Sequence, residues 1–472
     1  MSRKSHRSDK TLKHRKSGFR KPKAADALNL DQTPLELTVE SLGYDGRGIA
    51  RVDGRACFIE GALPGELIKA EVVAANNKRV EAKLLKVLEP SELRVNPPCS
   101  IFQLCGGCDL QHLNHEGQLK SKQASVNQML SRSLGCDDIP WGVPIVAKAS
   151  ENTATGFGYR RKIRLACYFD RSKQKLLVGF RAAKSKKIIE LEECLVVHPE
   201  LQAALELVNC TLNDLHQNAS YLKSLQLFAH IECIADQDAR SVCFRLMKPI
   251  PEDVIQDMVK AFASAGVSLW FRVGEGPLTL ISGHESEYQL EGGLKIAYTP
   301  EDFLQVNPSV NQSLVSEVIT QLEITEDDHV LDLFSGLGNF SLPVARVAKS
   351  VTAVEAIAEM VDKSQLNAKQ NRLSNVNSVK QDLFDEDALG WLDQGADKVI
   401  LDPPRAGAEL ISQHIGRTGA KKIAYVSCNP LSLARDSKEI LAQGYDITQA
   451  QLIDMFAQTS HIETLLMFER KA

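Results

Sequence analysis

The chain has 472 residues, of which 43% are hydrophobic and 25% are charged, a balance typical of a globular protein with several cores. It contains no apolar stretch of about 18 residues and no signal-like segment near Met1, so we expect neither a membrane span nor secretion. The eleven cysteines are odd in number and irregularly spaced, which fits a reducing cytoplasm better than a disulfide framework. Some of them are therefore expected to act as ligands or nucleophiles.

The first segment of the chain, residues 1–30, is strongly basic. It carries ten Lys and Arg residues against Asp9 and Asp26, a local net charge of +8 in a chain whose net charge is −4. With few large apolar side chains it cannot build a core, and its charges can neutralise phosphates by releasing counterions. We predict a disordered arm that contacts nucleic acid. A solvated tail without a ligand is the alternative.

Short β-like stretches separated by glycine turns fill residues 31–92. Five strands in so short a segment predict a small closed all-β barrel of the oligonucleotide-binding (OB) kind. The run Gly43-Tyr44-Asp45-Gly46-Arg47-Gly48-Ile49-Ala50, followed by Pro64-Gly65-Glu66, resembles the TRAM domain. The resemblance implies that this segment binds RNA. A barrel with only a structural role is the alternative.

Three cysteines, Cys99, Cys105 and Cys108, surround a Gly-Gly turn near the start of the central segment. Glycines let the backbone fold tightly, so the three thiols can converge on one metal ion or cluster. Zinc could be held with His112 as a Cys₃His set, whereas an iron–sulfur cluster needs a fourth thiolate from farther away. The candidates for that thiolate are Cys136, Cys167, Cys194, Cys210, Cys233 and Cys243. Cys194 lies among polar residues, while strand-like surroundings predict core positions for Cys167, Cys233 and Cys243.

The central segment, residues 93–300, also carries basic side chains. Arg160, Lys162 and Arg164 fall on one face of a predicted strand beside Tyr159, an arrangement that can track phosphates and offer one stacking ring. An ordinary solvated face is the alternative. Helix-like and strand-like stretches alternate in the rest of the segment. They predict an α/β middle domain, with an α+β arrangement left open.

Strictly alternating strands and helices predict a doubly wound, Rossmann-like sheet in residues 301–472. A strand ends at Phe334, the glycine turn Ser335-Gly336-Leu337-Gly338-Asn339 follows, and the next strand ends at Glu355. A carboxylate at that distance is placed to accept hydrogen bonds from ribose hydroxyls. Ser341 stands where a dinucleotide fingerprint needs its third glycine. S-adenosylmethionine, which has a ribose and no phosphate, therefore fits better than a dinucleotide.

Further strand ends bring reactive groups to the same edge of this sheet. One strand leads to Asp382, where an acid could meet the adenine amino group, and the next leads to Asp402, whose direction is fixed by the two prolines that follow. Methyltransferases that act on exocyclic amines carry an aromatic residue after such a turn. Arg405 in its place argues against amine methylation. The following strand delivers Cys428 to the sheet edge, a position that suits a nucleophile, although a buried core cysteine is the commoner role for a single thiol.

Taken together, these motifs resemble the RNA uracil-5 methyltransferases, and with the TRAM-like barrel and the cysteines they are most similar to the bacterial branch that methylates a uracil in 23S ribosomal RNA. The resemblance rests on the runs 302–307, 332–340, 402–405, 427–430 and 461–464. It implies S-adenosylmethionine as cofactor, with contacts at Gln305, Phe334, Asn339, Glu355, Asp382 and Asp402. It also implies a [4Fe-4S] cluster held by Cys99, Cys105, Cys108 and Cys194.

The chemistry of this reaction explains why a thiol and a base are needed together. A thiolate that adds to carbon 6 of uracil makes carbon 5 nucleophilic enough to accept a methyl group, and a base must then remove the proton from carbon 5. In this interpretation Cys428 is the nucleophile and should be thiolate-like, which a polar strand end can favour, and Glu463 is the base.

The target uracil has to leave its stack to reach the thiol. The expected partner is therefore a 23S ribosomal RNA that is locally opened or unassembled. No membrane and no obligate protein partner are expected, and the predicted localisation is cytoplasmic. The alternatives are the same chemistry on another uracil, in transfer RNA or at a second ribosomal site, and an RNA-binding module without catalytic activity.

Overall fold

The computed structural model describes residues 33–147, 156–236 and 239–471. The predicted basic arm, residues 1–30, lies outside these ranges. Within them, the strands form three large sheets and one hairpin. No helix in the described part of the chain is long and apolar enough to cross a membrane.

The N-terminal domain is a small closed barrel. Its strands are β1 (Leu35–Thr38), β2 (Ser41–Leu42), β3 (Gly48–Val52), β4 (Arg55–Glu60), β5 (Leu67–Ala75) and β6 (Arg79–Glu89). β1 and β2 are two parts of one bent strand: β1 pairs with β5 and β2 pairs with β3, which closes the sheet order β1-β5-β6-β4-β3-β2 into a ring. Small apolar side chains that alternate along the strands fill the interior. The predicted five-stranded barrel is therefore observed.

The middle domain is built on a seven-stranded sheet. Its strands, in the order β13-β12-β11-β10-β7-β8-β9, are β7 (Lys162–Asp170), β8 (Lys175–Arg181), β9 (Ile188–Glu190), β10 (Phe228–Asp236), β11 (Ala239–Leu246), β12 (Ser268–Val273) and β13 (Leu278–Ser282). The helices that follow the barrel are α1 (His115–Leu134), α2 (Pro199–Gln217), α3 (Leu222–Leu225) and α4 (Glu252–Ser264). α2 and α4 contact each other and pack on the same apolar face of the sheet.

The strand pairing in this sheet corrects the predicted α/β class of the middle domain. The pairs are antiparallel except for β11 with β12, and the helices are segregated to one face, so the domain is α+β. Alternating helix-like and strand-like stretches do not distinguish the two classes, because direction is set by how the strands pair.

The C-terminal domain is a doubly wound sheet, preceded by the hairpin β14 (Ser286–Gln289) and β15 (Lys295–Tyr298). Its strands are β16 (His329–Leu333), β17 (Ser350–Glu355), β18 (Val376–Lys380), β19 (Lys398–Leu401), β20 (Lys422–Ser427), β21 (Tyr445–Ile453) and β22 (Glu463–Arg470). Its helices are α5 (Pro308–Leu322), α6 (Ser341–Ala345), α7 (Ala358–Gln370), α8 (Leu389–Leu392), α9 (Glu409–His414) and α10 (Pro430–Ala442).

The strand order of this sheet is β18-β17-β16-β19-β20-β22-β21. The strands from β18 to β20 are parallel, and β22 runs antiparallel between β20 and β21. Separate apolar clusters cover the two faces, which explains why the central strands are continuously hydrophobic. The predicted Rossmann-like sheet is confirmed.

Helix α1 belongs to the central segment in sequence but packs on the C-terminal domain. Val126 and Leu130 of α1 and the later Ile139 join the apolar cluster that contains α9 and α10. Trp141 and Ile145 then form isolated parallel bridges with β21. Residues 99–118, which carry Cys99, Cys105 and Cys108 and are called the cysteine segment, therefore lead through α1 to the edge of the C-terminal sheet.

Candidate active site

Cys428 follows β20 directly, at the carboxyl edge of the C-terminal sheet. Pro430 is the first residue of α10, and Asn429 caps that helix, since its side chain accepts a hydrogen bond from the Leu431 amide at 3.1 Å. The Asn429 side chain also donates to the carbonyl oxygen of Arg405 at 2.7 Å. The thiol is thus held, half-buried, between a strand end and a helix start.

Strand pairing brings two carboxyl groups to the same place. The last residues of β20 pair in antiparallel register with the first residues of β22, so that Cys428 comes to lie beside Glu463. β19 pairs in parallel with β20 on the other side, and Asp402 is the first residue after β19. Because neighbouring strands are about 4.8 Å apart, the thiol and both carboxyls form one compact group.

Burial controls the protonation of this group. Glu463 is 3% exposed, and burial, followed by the charge of Asp402, raises its pKa to about 8. Burial and the charge of Asp332 raise the pKa of Asp402 to about 7. Burial and the two neighbouring carboxylates also raise the pKa of Cys428, which the charge of Arg405 partly offsets. The strand end by itself therefore disfavours the thiolate, contrary to our expectation that its polar surroundings would favour it.

The glycine turn after β16 forms one wall of the predicted cofactor site. Phe334 leaves the strand with φ of 66°, a left-handed conformation that few non-glycine residues adopt. Glu355, at the end of β17, accepts hydrogen bonds from the amides of Gly336 at 3.1 Å, Ala356 at 2.8 Å and Ile357 at 3.0 Å. Its carboxylate is therefore fixed against the turn.

Two other predicted cofactor residues lie on the same edge. Asp382 follows β18, is exposed, and accepts from the Phe384 amide at 3.0 Å. The Phe384 ring lies 5.9 Å from the ring of Phe334. Asn339 forms a reciprocal pair of side-chain hydrogen bonds with Asn311, at 2.8 and 2.9 Å. Asp382 therefore lies just beyond the end of a parallel strand, and Asn339 lies in the glycine turn after β16.

The backbone of Gln305, another predicted cofactor residue, is held by Arg161, which the sequence analysis missed. Arg161 is 2% exposed, and its Nε donates to the Gln305 carbonyl oxygen at 2.9 Å, while Nη1 donates to Asp236 at 3.1 Å. Its guanidinium also lies 4.3 Å from the centre of the Tyr288 ring. The alternation of the strand offered a signal, since Arg161 faces away from its basic neighbours.

The structure changes the interpretation of those neighbours. Tyr159 is buried and its hydroxyl donates to the Ala457 carbonyl at 2.9 Å, so its ring is not a stacking surface. Lys162 donates to the Asp302 carbonyl at 2.7 Å and is half-buried. The side chain of Arg164 remains 63% exposed. Of these three, Arg164 keeps a surface that RNA could contact.

The four cysteines of the predicted cluster line one cavity of about 340 Å³: Cys99, Cys105, Cys108 and Cys194. Burial, and then the charges of Cys194 and Cys105, raise the pKa of Cys108. The Gly107 amide donates to Cys105 Sγ at 3.4 Å. A Cβ on Gly106 would lie 3.2 Å from the Arg181 carbonyl oxygen, so any side chain there would crowd the backbone of β8.

His112, the fourth ligand of the zinc alternative, lies outside the lining of this cavity. It is buried, its ring is 5.6 Å from that of Phe102, and neither ring nitrogen has a hydrogen-bond partner among the described residues. No three His, Cys, Asp or Glu side chains in those residues are arranged as a site for a single metal ion. Cys233 and Cys243 are buried and Cys167 packs against the middle core, as predicted.

Comparison with known proteins agrees with this architecture. The TRAM domain profile matches residues 33–85, and the profile described as tRNA (Uracil-5-)-methyltransferase matches residues 288–386 and 390–471. A solved structure of the Pyrococcus abyssi tRNA (uracil-54, C5)-methyltransferase in complex with S-adenosyl-L-homocysteine is similar with a TM-score of 0.69 at 23% identity. It covers 92% of this chain and 100% of its own, so the two share a fold.

Proteins found by sequence comparison have a higher sequence identity to this chain than that structure has. The 23S rRNA (uracil(1939)-C(5))-methyltransferase RlmD of Vibrio campbellii is 38% identical over 451 residues, which cover 95% of this chain and 98% of that protein. The protein of the same name from Pseudomonas aeruginosa is 39% identical over 436 residues, covering 92% and 93%. With such identity along nearly its whole length, the chain belongs to the RNA uracil-5 methyltransferase family, in the branch of the bacterial RlmD proteins.

Proposed function

We propose that this protein transfers a methyl group from S-adenosylmethionine to carbon 5 of a uracil in 23S ribosomal RNA. The observation that carries the proposal is the adjacency of a half-buried thiol and a buried carboxyl at the edge of a methyltransferase sheet. The relatives, which are 23S rRNA (uracil(1939)-C(5))-methyltransferases, support ribosomal RNA and this uracil as the target. Such a substrate agrees with the predicted cytoplasmic localisation.

The proposed reaction uses Cys428 and Glu463 in sequence. Cys428 Sγ gives its proton to solvent and bonds as the thiolate to carbon 6 of the uracil, and the electron pair of the carbon 5–carbon 6 double bond moves to carbon 5 and the adjacent carbonyl. Once carbon 5 carries the methyl group, Glu463 takes the proton from that carbon and the carbon–sulfur bond breaks, which restores the ring and frees the thiolate. A pKa near 8 suits Glu463 to this step, because a general base works best with a pKa close to the working pH.

We propose that the cofactor lies across the strand ends, held by Gln305, Phe334, Asn339, Glu355, Asp382 and Asp402. Bound there, S-adenosylmethionine supplies the methyl group and, as a sulfonium cation, offsets the carboxylate charges that raise the pKa of Cys428. Glu355 would orient the ribose hydroxyls, and Asp382 would accept from the adenine amino group. The half-buried ring of Phe334 and the exposed ring of Phe384 would flank the base.

The test is the Cys428→Ala variant of the full chain. Incubated with S-adenosylmethionine and a 23S transcript, it should form no 5-methyluridine and no covalent RNA adduct, both measured by mass spectrometry. Cys136→Ala removes an exposed thiol far from the sheet edge in sequence and serves as the matched control, with unchanged activity. Full turnover by Cys428→Ala at the mapped uracil would overturn the proposal. Mapping all methylated uracils in ribosomal and transfer RNA distinguishes the alternative targets.

We also propose a [4Fe-4S] cluster on Cys99, Cys105, Cys108 and Cys194. The cavity is many times the ~30 Å³ volume of a water molecule, and its lining of four thiols matches the Cys₄ set that such clusters require. The Gly107 amide would donate to a ligand sulfur, which stabilises the negative charge of a cluster. Protein purified without oxygen should be brown and contain iron and acid-labile sulfide in equal amounts. Colourless protein with zinc would contradict this assignment.

We propose that the whole chain divides into four units. They are an RNA-contacting arm in residues 1–30, the RNA-binding barrel in 31–92, the cluster-bearing segment in 93–300 and the methyltransferase domain in 301–472. The barrel and the exposed Arg164 would hold an RNA segment opened at the target uracil.

A further inference from the structure

The loop that leads to Glu463 is the place where the barrel, the cysteine segment and the methyltransferase domain meet. This loop, residues 454–462, joins β21 to β22, and Glu463 is the first residue of β22. The position of the proposed base therefore depends on what fixes the loop.

The cysteine segment makes the first set of contacts with the loop. The amides of Asp109 and Leu110 both donate to the carbonyl oxygen of Gln458, at 3.2 and 3.1 Å. The side chain of Gln118 accepts from the Gln458 amide at 2.9 Å and donates to its side-chain oxygen at 3.0 Å. Gln458 has φ of 66°, a conformation that persists in a non-glycine residue only when its surroundings hold it. The loop is therefore held in a shape that it would not adopt alone.

The second set of contacts comes from the Asp109 side chain, next to Cys108. One carboxylate oxygen accepts from the Ser460 amide at 2.5 Å and the other accepts from the Ser460 hydroxyl at 2.8 Å. On the opposite side the barrel closes on the same residue, since a Cβ on Gly46 would lie 2.9 Å from Ser460 Cβ. Ser460, three residues before Glu463, is therefore held by Asp109 and packed closely against Gly46.

We propose that Asp109 is a positioning residue for Glu463, which it holds in place through Ser460 and Gln458. The proposal rests on the proposed function, because it assigns Asp109 to the step in which Glu463 removes the proton from carbon 5. It also gives the cysteine segment a consequence for catalysis: any change that displaces Cys108 displaces Asp109 and with it the base.

The test compares Asp109→Ala with Asp109→Asn in the full chain, with iron and sulfide content measured for each protein. A base displaced by a fraction of an ångström slows proton removal, so Asp109→Ala should lower kcat by ~10-fold or more, leave KM for RNA within about twofold, and accumulate the covalent RNA adduct. Asp109→Asn keeps one oxygen to accept from the Ser460 amide and should recover most of the rate. The adduct is the decisive readout, since general destabilisation of the fold does not trap an intermediate.

A matched control exists in the turn between β7 and β8. Asp170, the last residue of β7, accepts from both the amide and the hydroxyl of Ser172, at 2.9 and 2.6 Å, so it makes the same two kinds of hydrogen bond within a local turn. Asp170→Ala should leave kcat and adduct levels unchanged.

If Asp109→Ala loses iron, Ser460→Ala shows whether the lost contact or the lost iron slows the reaction. This variant removes one of the two hydrogen bonds and leaves the cysteine segment unchanged in sequence. It should accumulate a smaller amount of adduct. The inference is overturned if both variants turn over as the wild type does, or if their loss is entirely in KM with no adduct. Absence of any adduct in the Glu463→Gln variant would instead overturn the proposed function itself.

Discussion

Two glutamates at the active-site edge, Glu355 and Glu463, have the same side chain in opposite environments. Glu355 is half-buried and accepts hydrogen bonds from three backbone amides. Glu463 is buried, and its Oε2 has no hydrogen-bond partner among the described residues. The three donors fix the position of the Glu355 carboxylate, whereas burial without donors favours the protonated form of Glu463. The first environment suits a group that binds, and the second suits a group that exchanges a proton.

The topology of the sheet explains this difference. Glu355 ends a parallel strand, where the glycine turn and the start of α7 leave amides free to meet a carboxylate. Glu463 begins β22, which is paired on both sides, with β20 and β21, so the neighbouring amides are engaged in the sheet. The chemistry of each glutamate is therefore set by its place in the sheet.

The largest effect is expected from Glu463→Gln. The variant keeps the size of the side chain but cannot take the proton from carbon 5, so multiple turnover should fall by ~10²–10⁴-fold. Thiol addition and methyl transfer need no base at this position, so a covalent protein–RNA adduct that carries the methyl group should persist on a denaturing gel. Glu469→Gln, at the exposed far end of β22, is the control and should turn over normally. Release of free methylated RNA at the wild-type rate would contradict the assignment.

Glu355→Gln should have a smaller and different effect. It removes the charge and one acceptor from the proposed ribose contact, and a hydrogen bond to a charged group contributes about 1.5–3 kcal/mol, so KM for S-adenosylmethionine should rise by about 10-fold or more. No adduct should accumulate, because proton removal is untouched. Initial rates as a function of S-adenosylmethionine concentration check this, with the exposed Glu359→Gln in α7 as control. A loss of kcat with unchanged KM would remove the contrast between the two glutamates.

The parts of this site that could be predicted from sequence are those encoded locally. Asp402 and Cys428 each follow a hydrophobic strand and come one or two residues before a proline, so their place at the sheet edge could be predicted from the residues alone. The adjacency of Cys428 and Glu463 was not, because it depends on β22 inserting antiparallel beside β20. Glu463 was identified through the family resemblance instead.

Long-range contacts account for what sequence analysis missed. The buried Arg161 donates to an acceptor on Gln305, 144 residues away in the chain, and Asp109 accepts from Ser460, 351 residues away. Local sequence patterns do not indicate contacts over such separations. The raised pKa of Cys428 is also a product of the tertiary fold, since it results first from burial and then from two carboxylates that arrive from separate strands. A polar sequence around the thiol indicated neither their positions nor the sign of their effect.

The last expected effect is on stability, and it tests the environment of Glu463 without substrate. Burial raises the pKa of Glu463 from 4.5 to about 8, so its stabilising contribution is fully present below pH 4.5 and is lost as the pH rises through about 8. Within that window this one group should lower the free energy of unfolding by up to about 1.4 kcal/mol per pH unit. Glu463→Gln should therefore show a flatter decline of the thermal midpoint between about pH 5 and about pH 8 than the wild type. Equal slopes in the two proteins would mean that Glu463 is ionised in the folded state, and its unpaired oxygen would then need a donor from outside the described residues.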